Sequence, residues 1–236
     1  MQKTLREKLP ERHELKYLIS NTDALQLALV LNNTLTLDEH ADSLGEYQIR
    51  SLYFDDAYNR AYHEKEDGVA NRDKYRIRIY NYSDKVIFLE RKRKVGDLIQ
   101  KSSVRISRAL AEELMDGNAA ALTGTQHPLL MDMYIEMRTK VLRPGVIVDY
   151  AREAYTHPAE NTRITFDKRI RTGLMNKDLF DRYLLTVNVL DTDQTVMEVK
   201  FDRYMPEYIR NLISGVPAQR SAVSKYVMAR RFEPLD

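Results

Sequence analysis

Eight segments of this chain alternate apolar with charged or polar residues at a period of two, and that alternation sets narrow limits on its fold. They are Arg12–Ser20, Tyr47–Asp55, Lys74–Tyr82, Lys85–Lys94, Leu98–Ser107, Gly145–Tyr155, Arg163–Thr172 and Thr195–Tyr204. A period of two sends successive side chains to opposite faces of a strand. Tyr183–Leu190 reads as a further strand, joined to the last by the turn Asp191-Thr192-Asp193. Asn81-Tyr82-Ser83-Asp84 and Gly96-Asp97 mark tight turns between others. So many long strands linked by short turns predict a largely antiparallel sheet, closed into a barrel or split into a two-sheet sandwich. Six helices are expected between them: Thr22–Asn33, Asp56–Glu66, Ser107–Asp116, His127–Leu142, Pro206–Ile213 and Ser224–Arg231. With no internal repeat and no Pro/Gly-rich linker, the 236 residues read as one domain.

The polar positions of these strands are mostly cationic. Lys74, Arg76 and Arg78 share a face opposite Tyr75, Ile77 and Ile79. Glu90, Lys92 and Lys94 share another, as do Lys101, Ser103 and Arg105. Arg163, Thr165, Asp167, Arg169 and Arg171 oppose Ile164, Phe166 and Ile170, and Glu198 and Lys200 oppose Met197, Val199 and Phe201. The first strand sets Arg12, Glu14 and Lys16 against Leu15, Tyr17 and Ile19. One such strand alone is an ordinary solvated face. Repeated in six strands of a chain whose net charge is only +2, the bias calls for a polyanion, because like charges across a ladder are destabilising. If the sheet closes, the charged face becomes a lumen that focuses its own field.

Three acids sit among these cations, as Glu14-x-Lys16, Glu90-x-Lys92 and Glu198-x-Lys200. They either form salt bridges or hold a hard cation such as Mg²⁺ or Mn²⁺ that is completed by phosphate oxygens. The histidines show no metal-ligand spacing, and the absence of cysteine excludes thiolate sites and disulfides. No run of ~18 apolar residues is present, which excludes a spanning helix. Met1 to Pro10 lacks the apolar stretch of a signal peptide, so a cytoplasmic location is expected. Near-neutral charge and an absence of aromatic residues among the cationic positions argue against nucleic acid as partner. The 15 tyrosines are expected to serve strand packing and barrel rims; Met131, Met133 and Met137 are assigned to a helix core, and Arg230-Arg231 are read as a solvated or helix-terminal pair.

Arg12-His-Glu14-Leu-Lys16-Tyr resembles the opening strand of the triphosphate tunnel metalloenzymes, the CYTH-type superfamily. The resemblance continues through Ile49-Arg50-Ser-Leu-Tyr53-Phe54-Asp55, Lys74-Tyr-Arg76-Ile-Arg78, Glu90-Arg-Lys92, Tyr150-Ala-Arg152, Arg163-Ile-Thr-Phe-Asp167, Glu198-Val-Lys200 and Ser224-Lys225-Tyr226. Together these look like the VTC-type polyphosphate polymerase branch, over about residues 11–232. The resemblance implies an eight-stranded antiparallel β-barrel tunnel with helices packed outside. It further implies polymerisation of inorganic polyphosphate from the γ-phosphate of ATP, with Mn²⁺ or Mg²⁺. On this reading Arg76, Arg78, Lys92, Arg152 and Arg163 clamp the ATP phosphates. Lys16, Arg50, Lys101, Tyr150, Lys200, Ser224 and Lys225 bind substrate or product chain, and Glu198 is the metal ligand, with Glu14 and Glu90 as further candidates.

Two departures bear on the reading. Hydrolytic tunnel enzymes open on Glu-x-Glu-x-Lys, whereas Arg12 stands in the first acidic position here, which argues against plain triphosphatase chemistry. Eukaryotic relatives add a regulatory domain and membrane helices, neither of which this sequence contains, so synthesis coupled to membrane translocation is not expected within it. Hydrolysis of triphosphate and capture of polyphosphate without turnover are the competing functions.

Overall fold

The computed structural model describes residues 12–233 apart from 97, 218 and 221. The segment Met1 to Pro10 and the Asp97 half of the Gly96-Asp97 turn lie outside the described residues. Eight long strands form: β1 (His13–Ser20), β3 (Tyr47–Asp55), β4 (Arg72–Tyr80), β5 (Ser83–Val95), β6 (Leu98–Ile106), β7 (Arg143–His157), β8 (Thr162–Thr172) and β10 (Gln194–Phe201). Three two-residue strands accompany them: β2 (Thr36–Leu37), β9 (Val187–Asn188) and β11 (Gln219–Arg220). The sheet is antiparallel throughout, in the order β11-β1-β10-β8-β7-β3-β4-β5-β6, with β2 on β7 and β9 on β8. It curls into a half-barrel, so that Lys92 on β5 reaches Glu14 on β1 at 2.9 Å although the two strands are far apart in the order.

Six helices follow the expected plan: α1 (Asn21–Leu31), α2 (Arg60–Glu66), α3 (Arg108–Met115), α4 (Pro128–Thr139), α5 (Glu207–Ser214) and α6 (Lys225–Arg230). Ser20 caps α1 by accepting from the Asp23 amide at 3.0 Å, and Ser107 caps α3 by accepting from the Leu110 amide at 3.1 Å. Helix α2 starts later than expected. The Asp56 carboxylate accepts from the amides of Tyr58 and Arg60, and Asn59 takes a left-handed φ of 53°, so residues 56–59 form a turn instead.

The apolar face of the strands points outward and is covered by helices. Leu52, Ile77, Ile79, Ile87 and Leu89 pack against Ala111 and Leu114 of α3 and Leu129, Met133 and Met137 of α4. Ile164, Phe166, Met197 and Val199 pack against Leu27 and Leu31 of α1 and Ile209 and Ile213 of α5. Met131, assigned to the helix core, instead points to solvent at 45% exposure. A third cluster lies inside the curl, where Tyr226, Val227 and Ala229 of α6 meet Val146, Val148, Ile170 and Val196. Arg230 and Arg231 stand at the end of α6 as expected, Arg231 exposed and Arg230 buried between Glu233 and Asn59, where it anchors the helix from behind.

Two strand expectations are revised. Of Tyr183–Leu190 only Val187–Asn188 pairs, and its partner is β8 rather than β10. Asx turns hold the approach to it: Asp178 accepts from the amides of Phe180 and Asp181, and Asp181 from that of Tyr183. In β8 the register against β7 slips between Asp149 and Ala151, and Arg169 adopts a φ of 50°. This bulge reverses the alternation beyond it. Arg169 therefore leaves the cationic face to pair with Glu46, and Arg171 lies 3.8 Å from Asp149. No helix among the described residues is long and apolar enough to cross a membrane.

Candidate functional site

Because the apolar faces are covered from outside, the charged faces have nowhere to point but into the curl. They line a cavity of about 950 Å³. Lys16, Arg76, Arg78, Lys92, Lys101, Tyr150, Arg152, Arg163, Lys200, Ser224 and Lys225 all contribute to its wall, with Glu14 and Glu198. Arg50 does not. On β3 it alternates with Tyr47, Ile49, Ser51 and Tyr53, so it faces outward with Leu52 and Phe54. There it is 2% exposed, binds Asp149 at 2.9 Å and donates to the carbonyl of Asp181. Its place as a substrate-binding residue is withdrawn in favour of a buried structural ion pair.

Three acidic features aim the cations. Asp167 is fully buried and accepts from Nε and Nη2 of Arg152 at 2.6 and 2.8 Å, while Lys225 Nζ lies 2.5 Å from it. Burial resists its charge, but Arg152 and Lys225 prevail and bring its pKa down to about 2. The Tyr150 ring lies under both cations, 5.4 Å from the Arg152 guanidinium and 5.1 Å from the Lys225 ammonium.

On the facing wall Glu90 is 2% exposed and binds Arg76 and Lys101, each at 2.6 Å, with Arg78 at 3.9 Å. These cations overcome burial and hold its pKa at about 2. Arg76 also donates to the Tyr53 hydroxyl at 2.8 Å. Arg78 donates to Ser51 at 3.0 Å and to the Tyr150 hydroxyl at 3.2 Å. Each guanidinium is thus oriented by a carboxylate or hydroxyl, with its remaining N–H groups free to serve a phosphate.

Glu14 and Glu198 form the third acidic feature. In the β1–β10 ladder Glu14 stands opposite Lys200 and Lys16 opposite Glu198, so the two acids are diagonal neighbours, each beside a lysine of its own strand. Burial raises the pKa of Glu198, and Lys200, Lys16 and Lys225 more than reverse this, leaving it well below the ordinary range. Lys16 and Lys92 flank Glu14 at 3.0 and 2.9 Å.

A divalent cation fits this pair better than it fits Glu90. Among the described residues no three His, Asp or Glu side chains converge, so a metal would take two carboxylates and complete its shell with phosphate oxygens and water, as Mg²⁺ commonly does. The Thr165 hydroxyl, opposite Glu198 in the β8–β10 ladder, is buried without a hydrogen-bond partner among the described residues and offers a further oxygen. Glu90 is committed to Arg76 and Lys101 on the other wall and leaves the set of metal candidates.

Tyrosines serve strand packing as expected, and four of them also reach the site. Tyr47, Tyr53, Tyr150 and Tyr226 belong to the packed cluster inside the curl and line the lumen among the cations. They are 2–9% exposed, with hydroxyls engaged by Arg163, Arg76, Arg78 and Asp55 respectively. Buried in this way they orient charge and offer no open platform for stacked bases. Asp167 and Thr165 were likewise missing from the predicted set, although both share alternation with Arg163.

The chain matches the VTC domain family model over residues 11–232. It belongs to the VTC domain family. Solved structures share the fold of this VTC domain. A putative adenylyl cyclase from Hippeastrum, described as having a dominant triphosphatase activity, superposes with a TM-score of 0.55 at 16% identity, covering 96% of this chain and 99% of the other. A putative adenylate cyclase from Bacillus halodurans gives a TM-score of 0.50 at 11% identity, covering 88% and 87%. No curated protein sequence matches it.

Proposed function

We propose that this VTC domain transfers the γ-phosphate of ATP to the end of an inorganic polyphosphate chain held in its lumen. The observation that carries the reading is the pairing of aimed guanidinium groups on facing walls, Arg76 and Arg78 against Arg152, around a cavity that contains two weakly basic carboxylates. Phosphoryl transfer asks for alignment and charge neutralisation more than for covalent help. Arg76, Arg78, Lys92, Arg152 and Arg163 would bind the triphosphate, and Lys16, Lys200, Ser224 and Lys225 the acceptor chain. Glu14 and Glu198 would hold a divalent cation, which when bound neutralises charge on the phosphate oxygens.

The acid–base character of the lumen favours transfer over hydrolysis. A polyphosphate terminus is already ionised at neutral pH and attacks without losing a proton to the protein. Water needs a base, and Glu198, held well below the ordinary carboxylate range, is a poor one. Hydrolysis remains the second reading because both lumen carboxylates lie within the cationic cavity. Incubation with ATP and Mn²⁺ or Mg²⁺, followed by ³¹P spectroscopy, separates them. Internal-phosphate signal growing in step with ADP is the expected result. Orthophosphate as the sole product would assign a hydrolase and overturn the transfer reading, and binding without turnover would leave a capture module.

A further inference from the structure

The two ends of the lumen differ in how their cations are compensated. At one end Arg163 pairs with Asp38 at 2.7 Å and Arg12 with Asp202 at 3.1 Å. At the other, Lys65 of α2, Arg72 and Lys74 of β4 and Lys94 of β5 line the wall, and none has a carboxylate within 4.0 Å among the described residues. The nearby acids are engaged elsewhere, Glu64 with Arg60 at 3.8 Å and Glu66 with Arg231 at 3.7 Å.

The register sharpens the conflict. Arg72 stands directly opposite Lys94, and Lys74 directly opposite Lys92. Such like-charge pairs destabilise a ladder. Among the described residues the Lys74 ammonium meets the Ser224 hydroxyl at 3.3 Å and the Tyr226 ring at 4.6 Å, and no carboxylate. Burial, with Lys65, Arg72, Lys16 and Lys92 around it, lowers its pKa well below that of an ordinary lysine. Burial and Arg72 lower that of Lys65 as well.

We propose that the Lys65–Arg72–Lys94 mouth is a docking port for the body of a long linear polyphosphate, so that chain length governs affinity. The port rests on the transfer reading and adds to it a selectivity that the phosphate clamp alone lacks. At ~3.3 Å per residue, Arg72 lies ~13 Å along β4 from Arg76. A triphosphate held between Arg76 and Arg152 ends short of the port, whereas a longer anion continues into it. Only the longer anion relieves the paired cations, and each cation it neutralises adds a counterion-release contribution to affinity.

The test compares tripolyphosphate with long-chain polyphosphate on wild type and on the variant Lys65→Ser/Arg72→Ser/Lys94→Ser, by calorimetry over a range of salt. Tripolyphosphate should bind the variant within ~3-fold of wild type, while the long chain loses ~10-fold or more. The slope of log affinity against log salt for the long chain should fall by ~2, at about 0.7 per lost charge. Equal losses for both ligands, or no loss for either, would overturn the port. The single variant Lys94→Gln, which removes one half-buried charge, should shift long-chain affinity in the same direction and guards against a folding defect in the triple variant. A wild type that binds the two ligands equally overturns the port and leaves the transfer reading standing, whereas a wild type that binds neither overturns both.

Discussion

Lys92 shows how charge is balanced at single residues in this lumen. Burial and the nearby Lys16 push its ammonium down to about 8, and Glu14 and Glu198 only partly restore it. A lysine depressed in the fold adds stability above its unfolded pKa of 10.5 and loses that contribution as pH falls through about 8. A bound phosphate chain prefers the charged form, so ligand affinity has the opposite slope. Between about pH 7 and about pH 9 tripolyphosphate binding should weaken with rising pH, with proton uptake on binding, while the ligand-free protein gains stability from this group. Calorimetry in buffers of different ionisation enthalpy reads the uptake, and Lys92→Met should abolish its share. Arg50 shows where such reasoning from sequence fails. It sits amid a matching motif, but β3 is buried on both faces, so no solvated side betrays which way its arginine points.

At the scale of elements, α6 places Ser224 and Lys225 in the cavity, and its position hangs on a buried contact behind it. The Tyr226 hydroxyl donates to Asp55, whose carboxylate also accepts from the amides of Ala61 and Tyr62. The side chain joins the start of α6 to the start of α2 and the end of β3. Tyr226→Phe removes a donor from a buried carboxylate and should lower unfolding free energy by about 1.5–3 kcal/mol. Denaturant titration measures that loss, and a change within error would assign the anchoring of α6 to Arg230 and its partners instead. Element positions were largely legible, because period-two runs and Ser caps announce themselves locally. The β8 bulge was not. Its Arg169 takes a positive φ that no local residue choice announces, and the reversal of Arg169 and Arg171 follows from packing against β7.

For the whole molecule, the decisive arrangement is an inverted sheet with apolar faces outside under helices and cations inside. The sequence carried this as a charge bias too one-sided for a solvated surface. The seating of α6 inside the curl, the tyrosine hydroxyls that aim the arginines and the division of the acids between the two walls depend on curl and register, which one-dimensional alternation cannot express.

The most direct test of a phosphate-binding lumen is tripolyphosphate affinity in Arg78→Ala/Arg152→Ala, measured by calorimetry beside thermal unfolding. Each lost charge-assisted contact is worth about 1.5–3 kcal/mol, so affinity should fall by about 10² to 10⁴-fold in a protein that still unfolds cooperatively. A folded double variant that binds tripolyphosphate as tightly as wild type would contradict the lumen as the site.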